Sequence, residues 1–129
     1  MRGVETVVTD KAPAAIGPYS QAVRMGPWLW VSGQLGLDPA TGDLVPGGAA
    51  AEAAQAMTNV LTILRAAGLG AEHIVRCGIF VTDIATFAQV NEAYAAALGS
   101  ARPARATVEV AALPRGGRVE IEAVACAGL

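Results

Sequence analysis

The chain has 129 residues, a formal charge of −2 from nine Lys and Arg against eleven Asp and Glu, and 53% hydrophobic against 16% charged residues. A chain of that length buries roughly two-thirds of its unfolded surface without disulfides or metals, and Cys77, Cys126 and His73 show neither C-x-x-C nor H-x-x-x-H spacing, which excludes a structural zinc site. No stretch approaches the roughly 18 apolar residues of a spanning helix, no basic run offers phosphates a surface, and residues 1–11 mix acids with bases and lack the apolar centre of a signal peptide.

In chain order, residues 5–9 form a short β-branched run. Residues 21–25 and 28–32 flank Gly26-Pro27, a pattern that predicts a hairpin. Residues 35–48 carry Asp38-Pro39, Thr41-Gly42 and Pro46-Gly47-Gly48, and this turn chemistry reads as a loop. Over residues 49–67, Ala53, Met57, Val60, Leu61 and Leu64 recur at spacings of three and four, which predicts a helix stopped by Gly68. Residues 73–82 read as a buried strand. Asp83 is placed to cap a second helix with Ile84, Phe87, Val90, Asn91, Tyr94 and Leu98 as its inward stripe and Gly99 as its end. Residues 105–110 and 118–127 read as two strands joined by a turn at 114–117. No linker, charge block or repeat divides the chain, so one domain over residues 1–129 is expected. The order β-β-β-α-β-α-β-β predicts an α+β fold with two helices on one face of a mixed sheet.

The second face of such a sheet is uncovered within the subunit. Alternation along the last two strands assigns Ala106, Val108, Val110, Val119, Ile121 and Ala123 to the core face, and Arg105, Thr107, Glu109, Glu120 and Glu122 to the uncovered one. If the two strands pair as a hairpin, the guanidinium and the carboxylates lie within reach of one another. Sparse charge on so small a protein points the same way, to surface buried against another copy of the chain. An alanine-rich genomic composition is the alternative account.

Two readings of those charges stand side by side. In one they form a solvated strand face, each cross-strand pair contributing a few tenths of a kcal/mol. In the other they line a cleft closed by a second subunit. Arg105, approached by the small, rigid Pro103 and Ala104, presents a planar fork that suits the carboxylate of a small organic acid. Glu120 beside such an arginine is expected to stay ionised, and so to act as a base or a water-orienting group. Together they describe a site for adding water to a small carboxylate-bearing electrophile.

Segments spread over nearly the whole chain resemble the RidA (YjgF) family of reactive intermediate deaminases. They are Ala12-Pro13-Ala14-Ala15-Ile16-Gly17-Pro18-Tyr19-Ser20-Gln21, Val31-Ser32-Gly33-Gln34, Phe80-Val81-Thr82-Asp83 with Val90-Asn91-Glu92-Ala93-Tyr94, Pro103-Ala104-Arg105-Ala106-Thr107-Val108-Glu109-Val110, and Leu113-Pro114 followed by Val119-Glu120-Ile121-Glu122-Ala123. The resemblance implies a chorismate-mutase-like fold, a cytoplasmic homotrimer with clefts between subunits, and hydrolysis of 2-imino and 2-enamino acids to 2-keto acids and ammonia. No cofactor, metal, membrane or nucleic acid is implied. By the same resemblance Arg105 grips the substrate carboxylate, Glu120 positions water and Tyr19 supplies a hydroxyl. Ser32 and Gly33 line the pocket, Asn91 sits at its edge, and Thr107 stands beside the arginine where many members carry cysteine.

A protonated 2-imino acid is already activated toward water, so positioning and one electrostatic contact suffice. His73 is then a surface or packing residue, and Cys77 and Cys126 are small buried hydrophobes. Trp28 and Trp30 read as core or interface packing rather than as a base-stacking platform. Two competing functions remain. One is a trimer that binds keto acids or proteins without catalysis. The other is an endoribonuclease or translation inhibitor, to which the acidic balance and the missing general-acid histidine give little support.

Overall fold

Strands of alternating burial build a single six-stranded sheet within residues 3–128, the part of the chain that the computed structural model describes; Met1, Arg2 and Leu129 of the expected domain lie outside the described residues. The strands are β1 (Glu5–Val7), β2 (Ala22–Met25), β3 (Trp28–Leu35), β4 (Ile74–Val81), β5 (Ala104–Glu109) and β6 (Val119–Cys126). Their spatial order is β1-β2-β3-β6-β4-β5. The helices α1 (Ala49–Ala66) and α2 (Phe87–Leu98) make the predicted α+β arrangement. α1 lies on β3 and β6, and α2 packs against α1.

The core sits between helices and sheet. Ala53, Met57, Val60, Ile63 and Leu64 of α1 meet Leu29, Ile79, Val119, Ile121 and Ala123 of the strands, all of them buried. Each such large side chain removed from water stabilises the fold by roughly 1.5–3 kcal/mol. Gly68, at φ +79°, ends α1 in the left-handed conformation that glycine adopts without a Cβ penalty. Asp83 Oδ1 accepts from Ala85 N at 3.0 Å and caps a 3-10 turn, Ile84–Thr86, that leads into α2. Ile84 and Phe87, expected to face inward, are exposed, because this end of the helix overhangs the sheet edge at β5.

The expected hairpin between the last two strands does not form. β5 pairs in parallel with β4, Arg105 opposite Cys77 and Thr107 opposite Ile79. β6 instead lies between β3 and β4, antiparallel to both. A parallel neighbour needs a crossover, and α2 supplies it between β4 and β5. This pairing reverses the face expected for β5. Arg105, Thr107 and Glu109 share the helix-covered face with buried Cys77, Ile79 and Val81, and Ala106 and Val108 look out from the uncovered face. Contacts to the helix layer agree, since Glu109 Oε1 accepts from Ile84 N at 2.8 Å and Arg105 reaches Asn91. In β6 the assigned faces hold: Val119, Ile121 and Ala123 are in the core and Glu120 and Glu122 on the uncovered side.

Buried polar groups tie the connections down. Asn59 on α1 donates to the carbonyls of Leu35 at 3.1 Å and Leu37 at 2.9 Å, holding the end of β3. Glu52, wholly buried, accepts from Arg118 N at 2.7 Å and from its guanidinium at 2.8 Å, and fixes the entry to β6 two residues before Glu120. Among the described residues no helix is long and apolar enough to cross a membrane.

Candidate functional site

The first half of the site grows out of an irregularity in β3. Between Val31 and Gln34 the strand advances three residues while β6 advances two, from Ala123 to Ile121, so Ser32-Gly33 forms a bulge. Ser32 N donates to Gln21 O at 2.9 Å and Ser32 Oγ to Ser20 O at 2.6 Å, joining the bulge to the preceding loop. Gly33 faces Glu120, and a Cβ there would lie 2.9 Å from the carboxyl carbon; only glycine leaves the carboxyl its place. The loop is clasped by buried Gln21, whose Nε2 donates to Thr9 O and Pro13 O at 3.0 and 2.8 Å and whose Oε1 accepts from Thr9 N at 2.7 Å. Tyr19 Oη accepts from Ile16 N at 3.3 Å, leaving its own proton to donate. Tyr19, Ser32, Gly33 and Glu120 thus share one cavity of about 440 Å³, walled also by Ile16, Leu35, Leu37 and Arg115. Its size falls in the range of roughly 300–1,000 Å³ of small-molecule sites.

Burial, and then the neighbouring Glu122 charge, push the Glu120 carboxyl above its ordinary value. Glu122 is in turn paired with Arg76 at 3.5 Å. The sequence-based expectation was that Arg105 would hold Glu120 ionised; within the chain Arg105 is on the other face of the sheet, and the two influences on Glu120 both favour its neutral form.

The second half gathers on α2. The Arg105 guanidinium lies 5.5 Å from the Phe87 ring centre and 5.3 Å from that of Tyr94, and its Nη1 donates to Asn91 Oδ1. Phe87, Asn91 and Tyr94 follow one another at spacings of four and three, which aligns them on one side of the helix. Arg105, Asn91 and Tyr94 line a cleft of about 490 Å³ with Leu98, Arg102 and Pro103. Behind it, burial raises both the Tyr94 hydroxyl and the Cys77 thiol above their ordinary values. The Thr107 hydroxyl is buried without a hydrogen-bond partner and lines neither cleft.

The structure therefore brings Tyr19, Ser32, Gly33 and Glu120 together in one place and Arg105 and Asn91 in another, and leaves Thr107 apart. Sequence reasoning had placed Phe87 and Tyr94 in the helix stripe without linking them to Arg105; the helical spacing of an aromatic, an amide and an aromatic is the signal that was there to be used. Gln21 and Arg115 gave no such signal, since their contacts span 8 to 12 and 73 residues. His73 accepts from Gly70 N at 3.0 Å and lies 3.1 Å from Glu72, lining neither cleft. Among the described residues no group of three or more His, Cys, Asp or Glu is placed to hold a metal.

Comparison with known proteins adds independent findings. A family model described as Endoribonuclease L-PSP matches residues 9–127. A curated protein of Bos taurus named 2-iminobutanoate/2-iminopropanoate deaminase is 55% identical over 122 residues, covering 95% of this chain and 89% of its own. Among solved structures, RidA from the Antarctic bacterium Psychrobacter sp. matches with a TM-score of 0.91 and 48% identity, covering 95% of this chain and 98% of its own. TdcF of E. coli with bound serine matches with a TM-score of 0.90 and 38% identity over 95% and 98% of the two chains.

Proposed function

The chain belongs to the RidA (YjgF) family, with its chorismate-mutase-like α+β fold, and from that premise we propose that it hydrolyses small 2-imino and 2-enamino acids to 2-keto acids and ammonia. The observation that carries this reading is Arg105: its guanidinium is held by an amide and two rings, and it pairs with no carboxylate among the described residues. A cation immobilised in that way is ready for a small acid, and the charge-assisted pair contributes roughly 1.5–3 kcal/mol. The serine described in the E. coli TdcF structure is a ligand of that chemistry.

The complete site is assembled from two chains of a homotrimer, Arg105 and Asn91 coming from one and Tyr19, Ser32, Gly33 and Glu120 from its neighbour. What supports this is the separation of the two halves, together with the uncovered sheet face. There Met25, Trp30 and Val108 are exposed beside Val23, Val124 and Phe80, an apolar surface suited to another copy. Trp28 and Trp30, 6.2 Å apart, belong to that same face.

In the proposed reaction an enamine first takes a proton at C3 and becomes the protonated imine. Arg105 holds its carboxylate, and Glu120, in its ionised form, removes a proton from a water whose oxygen bonds to C2. The carbinolamine that results receives that proton on nitrogen from Glu120. The Glu120 carboxylate, ionised again, then takes the hydroxyl proton as the keto C=O forms, the C–N bond breaks and ammonia leaves, and it returns that proton to solvent. A carboxyl raised toward the working pH suits such a two-way proton transfer better than a fully ionised one. Tyr19 and the Ser32-Gly33 bulge orient the water and the amino group.

Coupling the protein to a pyridoxal-phosphate-dependent dehydratase tests the reading. Keto acid is expected to appear faster with the wild type, and this gain is lost in Arg105→Ala. Absence of acceleration on imines from alanine, 2-aminobutyrate, leucine and phenylalanine overturns it, and Arg105-dependent keto-acid binding without turnover would identify a binding trimer instead.

A further inference from the structure

We infer that Phe87 and Tyr94 are positioning residues that hold the Arg105 guanidinium edge-out toward the substrate carboxylate, an inference that rests on the carboxylate-gripping role proposed above for Arg105.

Arg105 rises from β5, an edge strand whose residues are exposed apart from half-buried Thr107. An arginine in such a place has many rotamers, and a ligand that bound it would have to freeze them. Here the freezing is done in advance. Phe87 and Tyr94 stand seven residues apart on α2, about 10.5 Å along the helix axis, and Asn91 stands between them. The guanidinium lies within reach of both ring faces while Asn91 accepts one of its N–H groups. Three contacts on one helix face fix the position of the group, and the remaining N–H donors are left to a ligand.

Two features of the helix indicate that the rings serve this purpose rather than the core. Phe87 is 38% exposed and lies outside the core cluster, and it shows apolar surface beside the guanidinium. Tyr94 is buried with its hydroxyl beside the Cys77 thiol, and it is the ring that meets Arg105. A phenylalanine would keep that ring in place, so the hydroxyl is dispensable to the hold.

The carboxylate is bonded to the reacting C2 but takes no part in the bonds made and broken and carries the same charge in ground and transition states, so loosening its cation raises KM and leaves kcat nearly unchanged. Loss of general packing would instead lower the active fraction and the melting temperature. The test compares Phe87→Leu, Tyr94→Leu, Tyr94→Phe and Arg105→Ala in the full oligomer, by steady-state kinetics on the imine from 2-aminobutyrate and by calorimetry with 2-oxobutanoate. Phe87→Leu and Tyr94→Leu are each expected to weaken 2-oxobutanoate binding and raise KM by roughly 2- to 30-fold, with kcat within about twofold of the wild type. Tyr94→Phe restores wild-type values. Because Phe87 is largely outside the core, its variant keeps the experiment decisive if Tyr94→Leu fails to fold. Wild-type KM and affinity in a folded Phe87→Leu, with Arg105→Ala still defective, overturn the positioning role alone. Wild-type affinity in Arg105→Ala overturns the carboxylate-gripping role, and the positioning role with it.

Discussion

Arg105 and Glu120 project from opposite faces of one sheet, with β4 between their strands. Glu120 stands in a row with Phe80 and Val108 on the uncovered face, and Arg105 stands in a row with Cys77 and Ala123 on the helix-covered face. The guanidinium is further drawn away from Glu120 by its contacts on α2. A substrate of half a dozen heavy atoms that touches both groups is therefore expected to bridge two chains.

This separation gives a complementation experiment. Arg105→Ala and Glu120→Gln homo-oligomers are each expected to lose most activity, by roughly 10- to 150-fold for the arginine from the value of the charge-assisted pair. Unfolded together and refolded as a 1:1 mixture, they recover about a quarter of wild-type activity, the share of interfaces that receive both intact residues under closed symmetry. No recovery in a mixture shown by mass spectrometry to contain mixed oligomers would place both groups in one chain's site.

The acid side of the pH profile reports Glu120. Its carboxyl is raised by burial and by Glu122, so kcat/KM falls as pH drops through that raised value and the base is protonated. Glu122→Gln removes the like charge, lowers the Glu120 value and moves the acid limb to lower pH. Arg76→Ala removes the Glu122 partner and leaves the Glu122 charge less compensated, which moves the limb upward. The stability sign is opposite to that of a salt-bridged carboxylate. Folding raises this group, so the folded state gains stability as pH falls from the raised value toward the ordinary carboxylate range, and Glu120→Gln abolishes that gain. Urea melts of wild type and Glu120→Gln across that interval check it.

Gly33→Ala places a methyl 2.9 Å from the Glu120 carboxyl carbon, and the side chain gives way. Displacement by about an ångström costs on the order of 100-fold in kcat/KM, with a stability loss of about 1 kcal/mol. Kinetics beside a denaturant melt separate the two effects. A Gly33→Ala enzyme of full activity would show that the carboxyl position is not set by this contact.

Glu52→Ala removes the acceptor for both the backbone and the side chain of Arg118 and leaves a cavity under β6. The expected cost is about 2–4 kcal/mol, a fall in melting temperature on the order of 10 °C. Glu52→Gln retains an acceptor for the Arg118 amide and costs less. Equal losses in the two variants would assign the effect to the charged carboxylate and its contacts with Arg118, and none of it to the cavity.

The elements themselves were legible in the chain because each has a strong local signature. Gly68 and Gly99 punctuate the helices, Asp83 caps its turn, and Val119-Glu120-Ile121-Glu122 alternates with period two. Strand order was not legible in that way, since the decision to place β6 between β3 and β4 is made by contacts far apart in sequence. The face of β5 followed from that order and was misassigned with it, although Pro103 immediately before the strand already had the character of an edge. β3 was cut short at Ser32 for another local reason: the bulge breaks the alternation that identifies a strand, and Gln34 and Leu35 continue it in the opposite phase. The candidate site residues follow from the family motifs, and their grouping into halves does not, because residue types say nothing of which side of a sheet they occupy.

The sheet between Arg105 and Glu120 also acts as an insulator. If both side chains left one face of the same chain, they would neutralise each other in an internal ion pair, and a substrate would have to break it before binding. Held apart by the thickness of a sheet, neither group can be quenched by the other within its own chain. The cation keeps its appetite for an external acid, and the carboxyl keeps the raised proton affinity that burial and Glu122 give it within its own chain.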